Sequence, residues 1–273
     1  MILFPFFMLS ISFRQVPLGR VATVLAASLL LRTTVGAQSS ATALPSALPS
    51  AQTLIDRHVA AAGGRDAFLR LRSYHQRATI EIAALGIRGE GDIHAAAPDL
   101  SRTRMMLPAI GEILAGTNGP VAWTINPIQG PRVLTDAEKA QSNEQADFYG
   151  TLLFPADRYT VMETLERTDF NGQPAYKVRL VRKDGARESL RFFSVDSGLL
   201  IGSESSSTSE MGTFRTTLAL SEYRRFGALL FPTRSESNAG TTRLIITIQS
   251  MTFDDVDPSV FVLPDAVKAL IQP

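Results

Sequence analysis

The chain predicts an α+β fold: one curved antiparallel sheet of about nine or ten strands, with helices confined to its start and middle. Three observations carry this. From residue 73 onward apolar and polar side chains alternate with period two over most of the chain. The alternating runs are joined by short turns built from Gly, Pro and Asp, too short for the crossovers that parallel strands require. Helical spacing is confined to residues 51–72 and 135–147.

Residues 1–37 have the form of a signal peptide. Residues 21–31 make an apolar core behind Arg20, and Val35-Gly36-Ala37 makes a small-residue cleavage site ahead of Gln38. The alternative is a retained anchor, although residues 21–31 are shorter than the ~20 apolar residues a span needs. Both readings place the remainder outside the cytoplasm. Residues 38–50, rich in Ala, Ser and Pro, are expected to be a linker, leaving residues 51–273 as the folded domain.

Leu54, Ile55, Val59 and Ala62 recur at helical spacing and Gly63-Gly64 supplies the stop. Residues 66–72 add a second short helical piece. In the first strand Tyr74, Gln76, Ala78, Ile80 and Ile82 share one face, and His75, Arg77, Thr79 and Glu81 the other. Leu85-Gly86 turns the chain into a strand over residues 87–94, and Ala97-Pro98-Asp99 leads into a third over residues 100–107. Residues 108–134 are looser, rich in Gly and Pro, and contain the single tryptophan, Trp123. Thr135 followed by Glu138 is a capping box for a helix reaching about residue 147, and an apolar segment, residues 148–154, follows.

Residues 169–202 form a three-stranded meander. Tyr176, Val178 and Leu180 alternate with Lys177 and Arg179, and Asp184-Gly185 makes the first turn. Centring that turn on Gly185 sets Leu180 opposite Leu190, Val178 opposite Phe192 and Arg182 opposite Glu188. A one-residue slip sets Val178 against Arg191 and loses the common apolar face, so the first register is preferred. Asp196-Ser197-Gly198 makes the second turn. Strands follow over residues 213–221, after the Gly227-Ala228 turn, and over residues 241–253, where Ile245 interrupts the alternation and marks burial on both faces. Asp254-Asp255-Val256-Asp257-Pro258 closes the sheet, and residues 261–263 tuck back as a plug.

The formal charge is +1; without Arg14, Arg20 and Arg32 of the leader it is 24 basic against 26 acidic groups, about −2. Such a balance argues against nucleic acid as a partner. Absence of cysteine excludes disulfides, thiolate nucleophiles and cysteine-ligated metals. No Gly-x-Ser-x-Gly elbow, phosphate loop or dinucleotide fingerprint is present; Gly86, Gly89 and Gly91 have the wrong spacing. Residues 203–209 are a serine cluster, read as a solvated loop. His75 and His94 are expected to face one another on adjacent strands with Glu81, Glu90 and Asp92 near. This is either a metal site, which needs three or four converging ligands, or the wet face of a sheet. Trp123 reads as core or as the wall of a ligand pocket. Asp254, Asp255 and Asp257 lack EF-hand spacing.

In order, the chain shows Gly63-Gly64 ending a helix, Asn118-Gly119 before Trp123, Phe170-Asn171-Gly172-Gln173-Pro174-Ala175-Tyr176, and Asp196-Ser197-Gly198-Leu199-Leu200. Tyr223-Arg224-Arg225-Phe226-Gly227, Leu230-Phe231-Pro232 and the close from Asp254 to Pro264 complete the series. This order resembles the periplasmic outer-membrane lipoprotein-sorting (LolA/LolB-like) superfamily over roughly residues 51–264, in its longer members. The resemblance implies an unclosed β-barrel with short helices as a lid, holding acyl chains in an apolar cavity. The reading of the residues themselves likewise leads to the expectation of no catalytic residue, cofactor or metal. Apolar positions assigned inward on that fold are Ile80, Ile82, Trp123, Tyr176, Val178, Leu180, Phe192, Phe214, Leu218 and Ile246. Arg77 is the nearest counterpart of the arginine with which the family's carriers fasten their lid. The expected function is a non-enzymatic, monomeric periplasmic carrier or chaperone for lipid or lipoprotein acyl chains. The alternatives are an envelope sensor binding a protein partner through the same sheet, and an envelope hydrolase using His75 or His94. The chain is longer than the compact carriers, so its cargo need not be a lipoprotein.

Overall fold

A computed structural model describes residues 47–271, apart from 137, 140, 141, 143–146, 151, 184–187, 210 and 211 and the side chains of 207–209 and 212–214. The leader, most of the linker and the Asp184-Gly185 turn therefore lie outside the described residues. So does much of the helix expected to reach residue 147; its start is present, where Thr135 N and Oγ1 both donate to Glu138 Oε2, at 2.9 and 2.8 Å.

The first element among the described residues starts at residue 51. Ser50 Oγ accepts from Thr53 N and caps α1 (Ala51–Ala61). Gly63 and Gly64 follow at φ +122° and +89°, and α2 (Arg65–Arg70) starts directly after them. Six strands come next: β1 (Ser73–Ile82), β2 (Ile87–Ala96), β3 (Leu100–Leu107), β4 (Gly111–Asn118), β5 (Val121–Asn126) and β6 (Gly130–Val133). After the short α3 (Pro155–Arg158) come seven more. They are β7 (Tyr159–Phe170), β8 (Gln173–Arg182), β9 (Glu188–Ser194), β10 (Leu200–Ser209), β11 (Gly212–Phe226), β12 (Leu229–Ala239) and β13 (Thr242–Phe253). A 3-10 turn (Pro258–Phe261) and α4 (Asp265–Ile271) finish the chain.

All thirteen strands belong to one antiparallel sheet in the order β6-β5-β4-β3-β2-β1-β13-β12-β11-β10-β9-β8-β7. Neighbours in sequence are neighbours in the sheet, except that β1 pairs with β13, and β6 and β7 are left as its two edges. The barrel is thus unclosed, and four short helices are delimited among the described residues.

Four strands exceed the expectation. Residues 108–134 hold β4, β5 and β6; Gly111, Gly119 and Gly130, all at positive φ, serve the turns between these strands rather than a loop. The edge strand β7 was not foreseen; its alternation is obscured by charges such as Glu163, Glu166 and Arg167, which suit an exposed edge. Residues 203–209 are the body of β10, not a solvated loop: backbone pairing to β9 and β11 overrides the weak strand propensity of serine.

Register partners share a face, so the ladder assigns every strand residue to one of two sides. One row runs from Ile82 through Leu244, Ser237, Leu218, Ser203, Arg191 and Val178 to Thr164. This inner face packs against the helices: α1 contributes Leu54 and Ile55 to a core with Val178, Leu180, Phe193 and Leu200, and Val59, with the capping Ala62, joins one with Ile80, Ile248 and Phe231. Described residues of the connection between the two edges, Ser142, Phe148, Leu152 and Leu153, also cover it. There Ser142 Oγ bonds Thr117 Oγ1 at 3.0 Å, Phe148 stacks on Tyr74, Leu152 and Leu153 are buried, and Arg65 donates to the Leu153 carbonyl.

The β8–β9 register corrects the expectation by one residue. Val178 faces Arg191, Leu180 faces Ser189, and Lys177 faces Phe192. The rule that apolar residues share a face fails because both faces are buried here. Phe193 points into the inner core, while Phe192 joins Phe170 (ring centroids 4.2 Å apart) and Ile201 in a separate outer cluster.

On the outer face of β3–β5 the C-terminal tail plays the part expected of a plug. Arg102 Nη1 donates to Val260 O and Asn118 Nδ2 to Phe261 O, both at 2.9 Å. Phe261 and Val267 are buried. Trp123 lies on this same outer side, register partner of Gly116, where an added Cβ would come within 3.0 Å of the indole. Deleting residues 258–273 is therefore expected to expose the indole: emission of the single tryptophan should shift to the red and become quenchable by acrylamide, with far-UV circular dichroism largely kept.

The α1 stop is also a docking point. Leu230 N donates to Ala62 O at 2.9 Å, and a Cβ on Gly63 would stand 2.6 Å from Ala228 O. Gly63→Ala should lower stability by about 2 kcal/mol or more, roughly 4–8 °C in Tm, measured by thermal melting.

Candidate functional site

The candidate site is the inner face between the two edges. The structure gathers most of the sequence-assigned cavity residues on it. Ile80, Ile82 and Ile246 belong to the core around β1 and β13; Val178 and Leu180 belong to the core around α1, with Tyr176 and Leu218 packed against it. Phe214 occupies β11 opposite Ser207, and its side chain lies outside the described residues. Two candidates fall on the other side. Trp123 is on the outer face under the C-terminal tail, and Phe192 is in the outer cluster. Arg77 is also on the outer face, with its side chain 71% exposed and Nε 3.6 Å from Asp92, on the opposite side from the covering segment. The strand parity that put His75 outside puts Arg77 outside too.

The inner face is apolar but not fully covered. Tyr176, Leu218, Leu244, Met105 and Met162 are only half-buried although they pack against the cores. Polar atoms are interspersed. Gln76 Oε1, Tyr159 OH, Thr164 Oγ1, Arg191 Nε and Ser235 Oγ are desolvated without a hydrogen-bond partner. Native interiors leave few such atoms. Sequence reasoning found the apolar residues by alternation. It missed Arg191, because the register it preferred turned that side chain outward.

His58 ties α1 to the sheet. Its imidazole is buried, and Nδ1 accepts from Leu200 N at 3.1 Å, so the proton of the neutral ring is on Nε2. Burial pushes its pKa down to about 3. His75 and His94 do face one another across β1 and β2, with rings stacked at 4.1 Å and His75 Nε2 3.0 Å from Asp92. Burial, with the nearby His75, lowers His94 to about 4. This pair lies on the outer face, and among the described residues no three His, Asp or Glu side chains converge as a metal site.

Both depressed histidines set a sign for pH dependence. Above the ordinary imidazole value of about 6.5 folded and unfolded chains are alike neutral there; below it only the unfolded chain takes up the protons, so stability falls. The wild-type protein should lose stability from pH 6.5 to 4.5 in urea titrations. In His58→Gln, whose amide oxygen can still accept from Leu200 N, the loss should be smaller by up to about 1.4 kcal/mol per pH unit.

No family model matches the sequence, and no curated protein matches it. The fold does have solved counterparts. One is a LolA superfamily protein from Nitrosomonas europaea, with TM-score 0.54 and 13% identity over 79% of this chain and 99% of that one. A second is a DUF1329 family protein from Desulfovibrio piger, with TM-score 0.54 and 11% identity over 79% and 98%. A third is described as a putative outer membrane lipoprotein-sorting protein domain, from Vibrio parahaemolyticus, with TM-score 0.52 and 9% identity over 77% and 95%. The resemblance read from the order of turns is thus borne out at the level of the fold, an unclosed antiparallel barrel with a helical lid.

Proposed function

We propose that this chain is a non-enzymatic binding or carrier protein of the periplasm that holds acyl chains against the inner face of its unclosed barrel. The observation that carries the proposal is the row of half-buried apolar side chains on that face, Tyr176, Leu218 and Leu244 among them. A folded domain gains by covering such residues, and each methylene withdrawn from water contributes about 0.8 kcal/mol. An acyl chain supplies that cover. The unpaired edges β6 and β7, with residues 134–158 running between them, offer it a way in. The fold shared with a lipoprotein-sorting domain supports the same class of ligand. The leader-like residues 1–37 support export, and the outer-face position of the stacked histidines weighs against a hydrolytic site built on them.

The test is native mass spectrometry of the protein purified without detergent from its own envelope, followed by lipid extraction. A stoichiometric acyl species released on denaturation is expected. A bare polypeptide that also fails to bind a fluorescent acyl probe would overturn the proposal in favour of a protein-binding sensor domain. Leu218→Asp places a carboxylate in the half-open row and should weaken probe binding about tenfold or more, equivalent to ~1.4 kcal/mol; because Leu218 also packs against the core beside α1, Tm should fall too, and binding is compared at a temperature where both proteins are folded.

A further inference from the structure

Among the described residues the inner face carries one buried charge that the chain does not answer; Arg167, register partner of Tyr176, is exposed to water. Arg191 lies between Val178 and Ser203 in register and is 7% exposed. Its Nε is desolvated without a partner, and among the described residues no carboxylate pairs with it. The neighbouring outer-face arginines are paired. Arg179 meets Glu188 at 2.9 Å, Arg215 meets Glu204 at 3.2 Å and Arg243 meets Glu236 at 2.7 Å. The acids of this half of the sheet are thus spent on the other side, and the row from Thr164 through Arg191 to Ser237 contains none. Hydroxyl donors share its face: Ser203 is buried beside it in register, Thr164 Oγ1 is desolvated without a partner two strands away in the same row, and the buried Ser237 and the partnerless Ser235 Oγ lie farther along, on β12. A guanidinium is a permanent cation, and removing it from water is costly unless an anion accompanies it. Its planar fork matches a carboxylate or phosphate, to which hydroxyls add further hydrogen bonds.

We propose that Arg191 is a headgroup anchor: it receives the carboxylate or phosphate end of an anionic amphiphile whose acyl chain lies along the apolar inner face. This rests on the acyl-binding reading and narrows it. The cargo is an acidic lipid, and a neutral acyl ester leaves the guanidinium unanswered.

The test uses the delipidated full chain at pH 8 and three probes of equal chain length: palmitate, 1-palmitoyl-glycerol-3-phosphate and 1-palmitoylglycerol, each titrated calorimetrically. Wild-type protein should bind at least one of the acidic probes tenfold or more tighter than the neutral one, and the tighter of the two identifies carboxylate or phosphate as the natural headgroup. In Arg191→Met the preference should disappear, with affinity for 1-palmitoylglycerol within twofold of wild type. The delipidated variant should melt no lower than wild type, since it has lost an unanswered charge. Arg191→Gln serves if the methionine variant does not fold. Equal binding of acidic and neutral probes by wild type, or equal loss of both in the variant, overturns the anchor while leaving the acyl-binding reading intact. Binding of none of the three probes sinks that reading itself.

Discussion

The pairing of β1 with β13 is the constraint on which everything else in this domain depends. The other ladders are local, each strand turning back on its sequence neighbour, and by themselves they would make two separate meanders, β1–β6 and β7–β13. The joint is pinned at its end by Asp254. At φ +59°, its carboxylate accepts from Arg72 N and Ser73 N, and its amide donates to Ser73 O. Opposite it in the ladder Ile80 meets Ile246 and Ile82 meets Leu244, so that the apolar face passes unbroken from one meander to the other. Contacts between residues so far apart in sequence carry a high loop-closure cost and belong to slow-folding topologies.

The covering of the inner face follows from the same pairing. Once β1 and β13 are central, β6 and β7 are necessarily the edges, although they follow each other in sequence. The chain between them must travel from one side of the sheet to the other. Tyr74, stacked by Phe148, and Thr117, bonded to Ser142, mark its route over the inner face. The outer face receives the C-terminal tail over β3–β5 and the Phe170–Phe192 cluster farther along, while ion pairs occupy much of the rest. A sheet covered on both sides has no single polar face, and strand parity alone then says little about which residues are inside.

This two-sided burial gives the inner face its chemistry. Serine and threonine hydroxyls stand among aliphatic side chains, and the buried Arg191 stands with them while the acids of its half of the sheet pair with arginines on the outside. Such a surface is a poor core for a protein that keeps it closed and a good one for a molecule with a long apolar part and a charged end. The polar groups that lower the stability of the empty domain are those a ligand would satisfy.

The sequence by itself determined the helix ending at Gly63-Gly64, strands β1 to β3, the Asp196-Ser197-Gly198 turn, the facing of His75 and His94, and the antiparallel class of the sheet. In each case the physical cause is local: backbone conformations that few residues adopt, or an alternation set by one buried face. Where the cause was distant, only the tertiary structure decided. β4 is as long as β3 but too rich in small residues to show a period, β5 and β6 are short, and β10 is a strand because its neighbours pair with it, in spite of its serines. Trp123 and Phe192 are buried on the outer side because a tail and a satellite cluster cover them there. The β8–β9 register is the sharpest case. A rule that gathers apolar residues on one face rejects the pairing of Val178 with Arg191, and the fold adopts that pairing because Phe192 and Phe193 each have a core to enter. Alternation records whether a side chain is buried, and it takes the assembled sheet to say on which side and against what.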